Sequence, residues 1–254
     1  MGQSELLKEQ LTAAAQRYAN ERKIGVKCRD SAVIFDDIAD SFCQQSYAEI
    51  LRYPDWSART KKRHTQVDGA YEMQSSNSSD ALLMNIFCHP KLAIWRGIHN
   101  VLGFVPNAPS FGIKARITKQ GVDGDETEID LAVGNSFAEA KLTEADFTDK
   151  PKSEVEKYDS FGVVFHKDSL EQSGDSYRNY QVIRNILAAV QHDKDHFLLC
   201  DERRPDLVRA YMQTVACVRE IGIRRRCSVI FWQEIYRNAG EGLREFLECK
   251  YGFC

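Results

Sequence analysis

The residues of this chain that are best suited to chemistry are Asp130, Glu139 and Lys141, two carboxylates and an ammonium in one short stretch. Apolar and polar residues alternate on both sides of the Gly134-Asn135 pair, which suits a two-residue turn. This pattern predicts a β-hairpin. With the turn at that pair, Asp130 faces Glu139 across the hairpin, on the same side as Lys141.

Two carboxylates that face each other repel, so the pairing of Asp130 with Glu139 requires solvent, a shared proton or a divalent cation between them. A hard cation such as Mg²⁺ fits best, because it prefers oxygen ligands. The same register places Glu128 opposite Lys141. An ordinary surface ion pair on a solvated hairpin would also explain this second pair, so a purely structural role for the hairpin stays open.

The set formed by Asp130 and Glu139-Ala140-Lys141 resembles the signature of the PD-(D/E)XK nuclease superfamily, an acid on one strand and acid-x-lysine on the next. Ile129 stands where the name of the superfamily has proline, which many members also lack. The resemblance implies that Asp130, Glu139 and the Ala140 carbonyl bind Mg²⁺, for which Mn²⁺ can substitute. It also implies that Lys141 orients the attacking water. The implied activity is hydrolysis of phosphodiester bonds, expected in DNA, with RNA and the choice between endonuclease and exonuclease left open.

The same resemblance suggests further site residues. Gln181, near the start of a later helix, corresponds to a glutamine that some members place beside the metal. The segment 75–87 is similar to one in bacterial restriction-endonuclease-like proteins, and within it Asp80 is the candidate for an acid presented by the first helix, with Asn85 nearby. A helix cap for Asp80 and a buried amide for Asn85 are the structural alternatives. A second metal would be completed by Asp80 or Glu128.

The elements around the hairpin agree with that superfamily. Hydrophobic periodicity and turn residues predict the following order: a helix over 79–102 with a break at Pro90, a strand over 111–118, the hairpin, a helix over 177–191, a strand over 197–200, a helix over 207–221, a strand over 228–232 and a helix over 243–251. The predicted class is α/β, with a restriction-endonuclease-like mixed central sheet (helix, three-stranded meander, helix, strand, helix, strand) flanked by helices.

The chain is expected to divide after residue 78. Residues 79–254 would form the nuclease core, and residues 1–78 a mostly helical extension packed on it, with helices over 6–18 and 34–51. The eight cysteines are scattered and lack a Cys-x-x-Cys pair, which favours reduced thiols. No secretory signal and no apolar run of about 20 residues is visible, so we expect a cytoplasmic protein without a membrane span.

The charge of the chain is relevant to whether it binds nucleic acid. The formal net charge is −3, which is unusual for a protein that binds a polyanion. Arg59, Lys61, Lys62 and Arg63 form a basic cluster and are the candidate nucleic-acid contacts, with a solvated surface run as the alternative. A homodimer is compatible with the sequence. The net acidity also keeps open a second function, a nuclease-like fold that binds nucleic acid or a protein without cutting.

Overall fold

The computed structural model describes residues 2–29, 32–64, 69–125 and 127–254. Its helices are α1 Gln3–Arg22, α2 Gln44–Arg52, α3 Pro54–Arg59, α4 Ser79–Phe87, α5 Arg96–Leu102, α6 Lys152–Val155, α7 Phe161–Val164, α8 Tyr180–Gln191, α9 Pro205–Ala216, α10 Ile221–Arg225, α11 Trp232–Asn238 and α12 Glu241–Tyr251. Within the described ranges, no helix combines the length and the apolar composition that a bilayer span requires.

The strands are β1 Val26–Arg29, β2 Ala32–Phe35, β3 Ser110–Lys114, β4 Ile117–Lys119, β5 Val122–Asp125, β6 Glu128–Val133, β7 Ser136–Ala140, β8 Lys150–Pro151, β9 Gln172–Ser173, β10 Ser176–Tyr177, β11 Asp195–Cys200 and β12 Cys227–Phe231. The central sheet has the order β12-β11-β7-β6-β3. β6 is antiparallel to both β3 and β7, whereas β7 is parallel to β11. The predicted mixed α/β class with helices flanking a central sheet is therefore confirmed, and the specific restriction-endonuclease-like topology stays a prediction.

The predicted hairpin is present with the predicted register. Leu131 pairs with Ala138, and Val133 pairs with Ser136, on either side of the turn at Gly134 and Asn135. Gly134 has a φ of +55°, in the left-handed region that favours glycine. Turn chemistry and alternation together thus place each side chain of β6 and β7 on a defined face of the sheet.

Helix α8 covers the face of the sheet that carries the charged residues. Its apolar residues Val182, Ile183, Ile186 and Leu187 are fully buried. The helix begins at Tyr180 rather than at the predicted Tyr177, because Ser176–Tyr177 is a strand and Asn179 has a φ of +58°, which no right-handed helix allows. This late start places Gln181 in the first turn of the helix.

Further predicted element boundaries are wrong in detail, among them those of the first strand of the central sheet and of the helix predicted over 34–51. The strand predicted over 111–118 ends at Lys114, since Arg116 has a φ of +47° and breaks it. The segment after it, Ile117–Lys119, pairs with Val122–Asp125 in a separate two-stranded sheet. The helix predicted over 34–51 begins only at Gln44.

The early part of that predicted helix is a strand and a turn. Ala32–Phe35 pairs with β1, as its β-branched residues favour. The side chain of Asp37 then accepts a hydrogen bond from the Ala39 N–H at 2.9 Å and begins a 3₁₀ turn, Ile38–Ser41. An Asx-capped turn competes with helix at this point, which hydrophobic periodicity does not reveal.

The chain forms two compact units. The first contains the chain up to Pro109 together with Asp201–Arg203 and Phe231–Cys254, and the second contains Ser110–Cys200 and Arg204–Ile230. The units therefore divide elsewhere than after residue 78, and both ends of the chain belong to the first unit. Whether residues 79–254 fold as an independent domain stays a prediction.

Candidate active site

The second unit brings Asp130, Glu139 and Lys141 to one face of the central sheet. Ala132 pairs with Phe137 in the hairpin, and side chains alternate between faces along each strand. Asp130 therefore shares a face with Glu139, and Lys141 follows on the same face. The backbone N–H of Lys141 donates to the Leu199 carbonyl at 2.8 Å, so β11 also holds the residue that follows β7.

Lys141 and Glu139 form a buried ion pair. Lys141 Nζ lies 3.0 Å from Glu139 Oε1, and the two side chains are only 6% and 2% exposed. Helix α8 completes their hydrogen bonds: Lys141 Nζ donates to Gln181 Oε1 at 2.9 Å, and Asn185 Nδ2 donates to Glu139 Oε2 at 2.6 Å. Gln181 and Asn185 are four residues apart on one helical face, so a single helix fixes both members of the pair.

The ammonium of Lys141 is stabilised by several negative charges. Burial by itself lowers the pKa of Lys141, but the carboxylates of Glu139, Glu144 and Asp130 oppose it and leave the pKa above its usual value. The ring of Phe147 contributes a further favourable contact, with its centroid 5.5 Å from Nζ. Lys141 therefore carries its positive charge throughout the neutral range.

Asp130 is fixed by the backbone of the neighbouring strand. Its Oδ2 accepts a hydrogen bond from the Ala140 N–H at 2.8 Å, immediately after the last cross-strand pair, Leu131 with Ala138. The carboxylate thus lies beside the residue that separates Glu139 from Lys141. Glu128 is exposed, and its predicted contact with Lys141 stays a prediction.

The donor atoms suit a hard cation. Two carboxylates, Asp130 and Glu139, and the Ala140 carbonyl offer only oxygen. A carboxylate accepts about four hydrogen bonds or metal contacts, so Glu139 keeps capacity beyond Lys141 and Asn185. Among the residues that the structure describes, no three His, Cys, Asp or Glu side chains gather into a metal-binding group. Mg²⁺ usually keeps several water ligands and takes only one or two carboxylates from a protein, so this oxygen-donor set is compatible with its chemistry.

A histidine lies on the same face but is neutral. His196 pairs with Phe137 in the parallel ladder and is buried, with Nδ1 2.9 Å from the Tyr211 hydroxyl. Burial lowers the pKa of His196 to about 4, with Glu139 raising it and Arg184 lowering it further.

Sequence reasoning missed two residues of this cluster. Asn185 was detectable in principle, because it is a polar residue one helical turn after Gln181 within an apolar run. Glu144 gave no signal. It belongs to the segment after β7, where its Oε2 accepts a hydrogen bond from the Leu142 N–H at 2.6 Å.

Asp80 lies in the first unit, at the start of α4. Both of its carboxylate oxygens accept hydrogen bonds from Arg59 Nη2, at 3.0 and 2.9 Å, and both side chains are 13% exposed. Ser78 caps the helix through a hydrogen bond from the Ala81 N–H, so the capping role considered for Asp80 is wrong. The metal-binding role of Asp80 stays a prediction.

The neighbouring Asn85 has the structural role considered for it. Its amide donates to the carbonyls of Ser41 and Ala81, at 3.0 and 2.7 Å, and its oxygen accepts from the Cys43 N–H at 2.6 Å. All of its hydrogen-bonding partners named here are backbone groups of the first unit. The fully buried amide holds the chain before α2 against α4.

The predicted nucleic-acid cluster is partly neutralised. Arg59 is engaged by Asp80, and Lys62 Nζ lies 3.0 Å from Glu72 Oε2. Lys61 and Arg63 are exposed. The contact of these residues with nucleic acid stays a prediction.

Comparison with known proteins identifies the family. A family model named REase-ARP, described as "Restriction Endonuclease associating with ARP", matches residues 8–252. Searches of curated proteins and of solved structures give no match. The family match includes both compact units and all of the candidate site residues. The chain therefore belongs to the REase-ARP family of restriction-endonuclease-like proteins, which indicates a nuclease-related function.

Proposed function

We propose that this protein is an Mg²⁺-dependent endonuclease that hydrolyses phosphodiester bonds in DNA, with Mn²⁺ able to replace Mg²⁺. The observation that carries the proposal is the buried cluster in which Lys141 is paired with Glu139 and held by Gln181, with Asp130 fixed on the same face. The family supports the reaction class. A buried lysine and two acids provide both positive charge and oxygen ligands at one point.

In this proposal Asp130, Glu139 and the Ala140 carbonyl would hold the Mg²⁺ ion. When bound, Mg²⁺ supplies a Lewis acid that lowers the pKa of a water molecule and offsets the charge of the scissile phosphate. Asn185 keeps the Glu139 carboxylate in one orientation through its hydrogen bond of 2.6 Å. No side chain forms a covalent intermediate, because hydrolysis by water requires none.

Lys141 has a separate role. Its hydrogen bonds to Glu139 and Gln181 fix the direction of the ammonium. In this proposal the positive charge of Lys141 stabilises the attacking water or a phosphoryl oxygen, where negative charge grows in the transition state. Because Lys141 stays cationic in the neutral range, it acts by charge and orientation rather than as a base.

The second candidate is a protein that binds nucleic acid without cleaving it. The observation that favours it is the engagement of Asp80 by Arg59, which occupies the acid that the first helix would otherwise present to a metal. An intact Asp130, Glu139 and Lys141 set favours the nuclease instead. Cleavage assays separate the two functions.

The test uses single-stranded, duplex and branched DNA together with RNA, each with Mg²⁺, Mn²⁺ or EDTA. We expect metal-dependent cleavage of DNA by the wild type and none by Glu139→Ala, because the variant loses a metal ligand. The matched control is Glu171→Ala, which changes an exposed acid of the same unit that pairs with Arg178. Tight binding by the wild type without metal-dependent cleavage would favour the second candidate.

A further inference from the structure

An arginine of the second unit is completely buried against the segment that follows Lys141. The guanidinium of Arg204 donates to three backbone carbonyls, those of Leu142 at 3.3 Å, Glu144 at 2.8 Å and Ala145 at 3.1 Å. Its side chain has no exposure to solvent. Burial of a guanidinium is costly unless its donors are satisfied, so the contacts define one position for this segment.

The charge of Arg204 is balanced beside the segment. Asp206 accepts from Arg204 Nε at 2.9 Å and from Nη2 at 2.8 Å. Asp206 is 40% exposed, so the pair reaches from the surface to the buried carbonyls. The planar fork of an arginine can satisfy several acceptors at once, whereas a lysine cannot reproduce that geometry.

The segment that Arg204 holds also contributes to the site. Glu144 accepts a hydrogen bond from the Leu142 N–H, and its carboxylate is among the negative charges that act on Lys141. On the other side, the Lys141 N–H is held by the Leu199 carbonyl. The backbone of Lys141 is therefore restrained by β11 before the segment and by Arg204 after it.

We infer that Arg204 is a positioning residue of the nuclease, which acts through residues 142–145 to hold the Lys141 ammonium and the Glu144 carboxylate in place. This inference rests on the proposed function. Arg204 touches no reacting atom. A displacement of about 1 Å in a catalytic group can reduce the rate about 100-fold, and loss of a supporting contact around a metal site about 10- to 100-fold.

The experiment compares Arg204→Met and Arg204→Lys in the full chain, at a temperature where circular dichroism shows both to be folded. We expect kcat of Arg204→Met to fall by about 10- to 100-fold with little change in KM, since orientation in the transition state is lost while substrate binding is kept. Arg204→Lys should retain an intermediate kcat. If Arg204→Met does not fold, Arg204→Lys alone carries the test.

Two control variants test whether the effect comes from the contacts of Arg204 with residues 142–145. Asp206→Asn keeps an acceptor for Arg204 and all three carbonyl contacts, and should have a smaller effect on kcat than Arg204→Met. Arg203→Met removes the adjacent arginine, which pairs with Asp201 and makes no contact with the segment among the hydrogen bonds described. It should cleave like the wild type. An unchanged kcat in the Arg204 variants, or an equal loss in Arg203→Met, would overturn the inference.

Amide hydrogen exchange gives a readout besides activity. Arg204→Met should accelerate exchange of the Leu142 N–H by about tenfold or more, and leave Ile186 in α8 protected. If the wild type cleaves no substrate, the proposed function fails, and this exchange result decides whether Arg204 fixes the segment. Unchanged exchange at Leu142 would overturn the role of Arg204 even in an active enzyme.

Discussion

Two buried lysines of this protein have opposite surroundings. Lys141 in the second unit is buried and is surrounded by carboxylates and the Gln181 amide. Lys250 in the first unit is 1% exposed and lies 5.0, 5.6 and 4.9 Å from the ring centroids of Phe35, Phe246 and Tyr251. Burial is the same, but the groups that replace water differ.

The difference appears in their protonation. Burial lowers the pKa of Lys250 from 10.5 to about 7, and Asp40 opposes this only in part. The pKa of Lys141 is instead raised, because its carboxylates outweigh burial. Lys250 Nζ donates to the backbone carbonyl of Ser41 at 2.6 Å, which is a neutral acceptor. Burial alone therefore does not determine the protonation of a lysine, because the groups that replace water decide whether its pKa rises or falls.

The largest expected effect concerns stability. Lys141→Met should reduce the free energy of unfolding by about 3–5 kcal/mol, because it leaves the Glu139 carboxylate buried without its partner. Urea unfolding in EDTA measures this change. The double variant Lys141→Met/Glu139→Gln should recover most of the loss. Equal stability of the single and double variants would show that the pair is not a coupled buried ion pair.

The second effect concerns cleavage. Lys141→Met should lower kcat by about 10²–10³-fold while DNA affinity changes little, since Lys141 acts on charge that develops in the transition state. Lys250→Met is the matched control and should cleave like the wild type at a temperature where both are folded. Comparable loss in the two variants would mean that the two lysines do not differ in function.

The third effect is pH-dependent. Between pH 7 and 10.5 Lys250 is neutral in the folded state but protonated in the unfolded chain, so the unfolded state binds more protons and this residue makes stability rise with pH. The contribution of Lys141 to the free energy of unfolding changes with pH in the opposite direction. It is present below the ordinary pKa of lysine and is lost at higher pH, because the pKa of Lys141 is raised in the folded state.

Urea unfolding at a series of pH values measures this effect. The stability of the wild type relative to Lys250→Met should rise with pH across this window, by at most about 1.4 kcal/mol per pH unit. Subtraction of the variant removes the titration of other groups. A difference that stays constant from pH 7 to 10 would contradict a lowered pKa for Lys250.

The smallest effect concerns Asp130. Asp130→Asn should change the free energy of unfolding by about 1 kcal/mol or less in EDTA, because an amide oxygen can still accept from the Ala140 N–H. The same variant should lose cleavage through loss of a metal ligand. Asp130→Ala, which lacks the acceptor, should unfold at lower urea than Asp130→Asn, and identical midpoints would exclude a role for the hydrogen bond.

The hairpin could be predicted because the residues that determine it are close together in sequence. Alternation and a glycine turn define the register of β6 and β7, and the register defines which face holds Asp130, Glu139 and Lys141. Gln181 was predicted by resemblance, and the structure brings it to Lys141. The helix that carries it also carries Asn185, which periodicity alone marks only as a polar residue in an apolar run.

The wrong element boundaries and the missed site residues occur where the conformation of a single residue, or a contact between distant residues, determines the structure. The positive φ of Arg116 ends β3 early, and the turn capped by Asp37 replaces a helix that hydrophobic periodicity favours. Glu144 lies in a loop and Arg204 lies at the start of α9. The two residues are 60 positions apart in sequence, and only the tertiary fold brings them into contact. Local patterns do not contain such contacts, which the tertiary fold determines.

The first unit is built from segments that lie far apart in the sequence, which has a consequence for the order of folding. Helix α1 packs against α12, and Lys250 Nζ donates to the carbonyl of Ser41, which is 209 residues away. Such distant contacts require the closure of long loops, whereas the β6–β7 hairpin pairs residues that are close in sequence. We therefore expect the hairpin that carries the candidate site to form earlier in folding than the packing of α1 on α12.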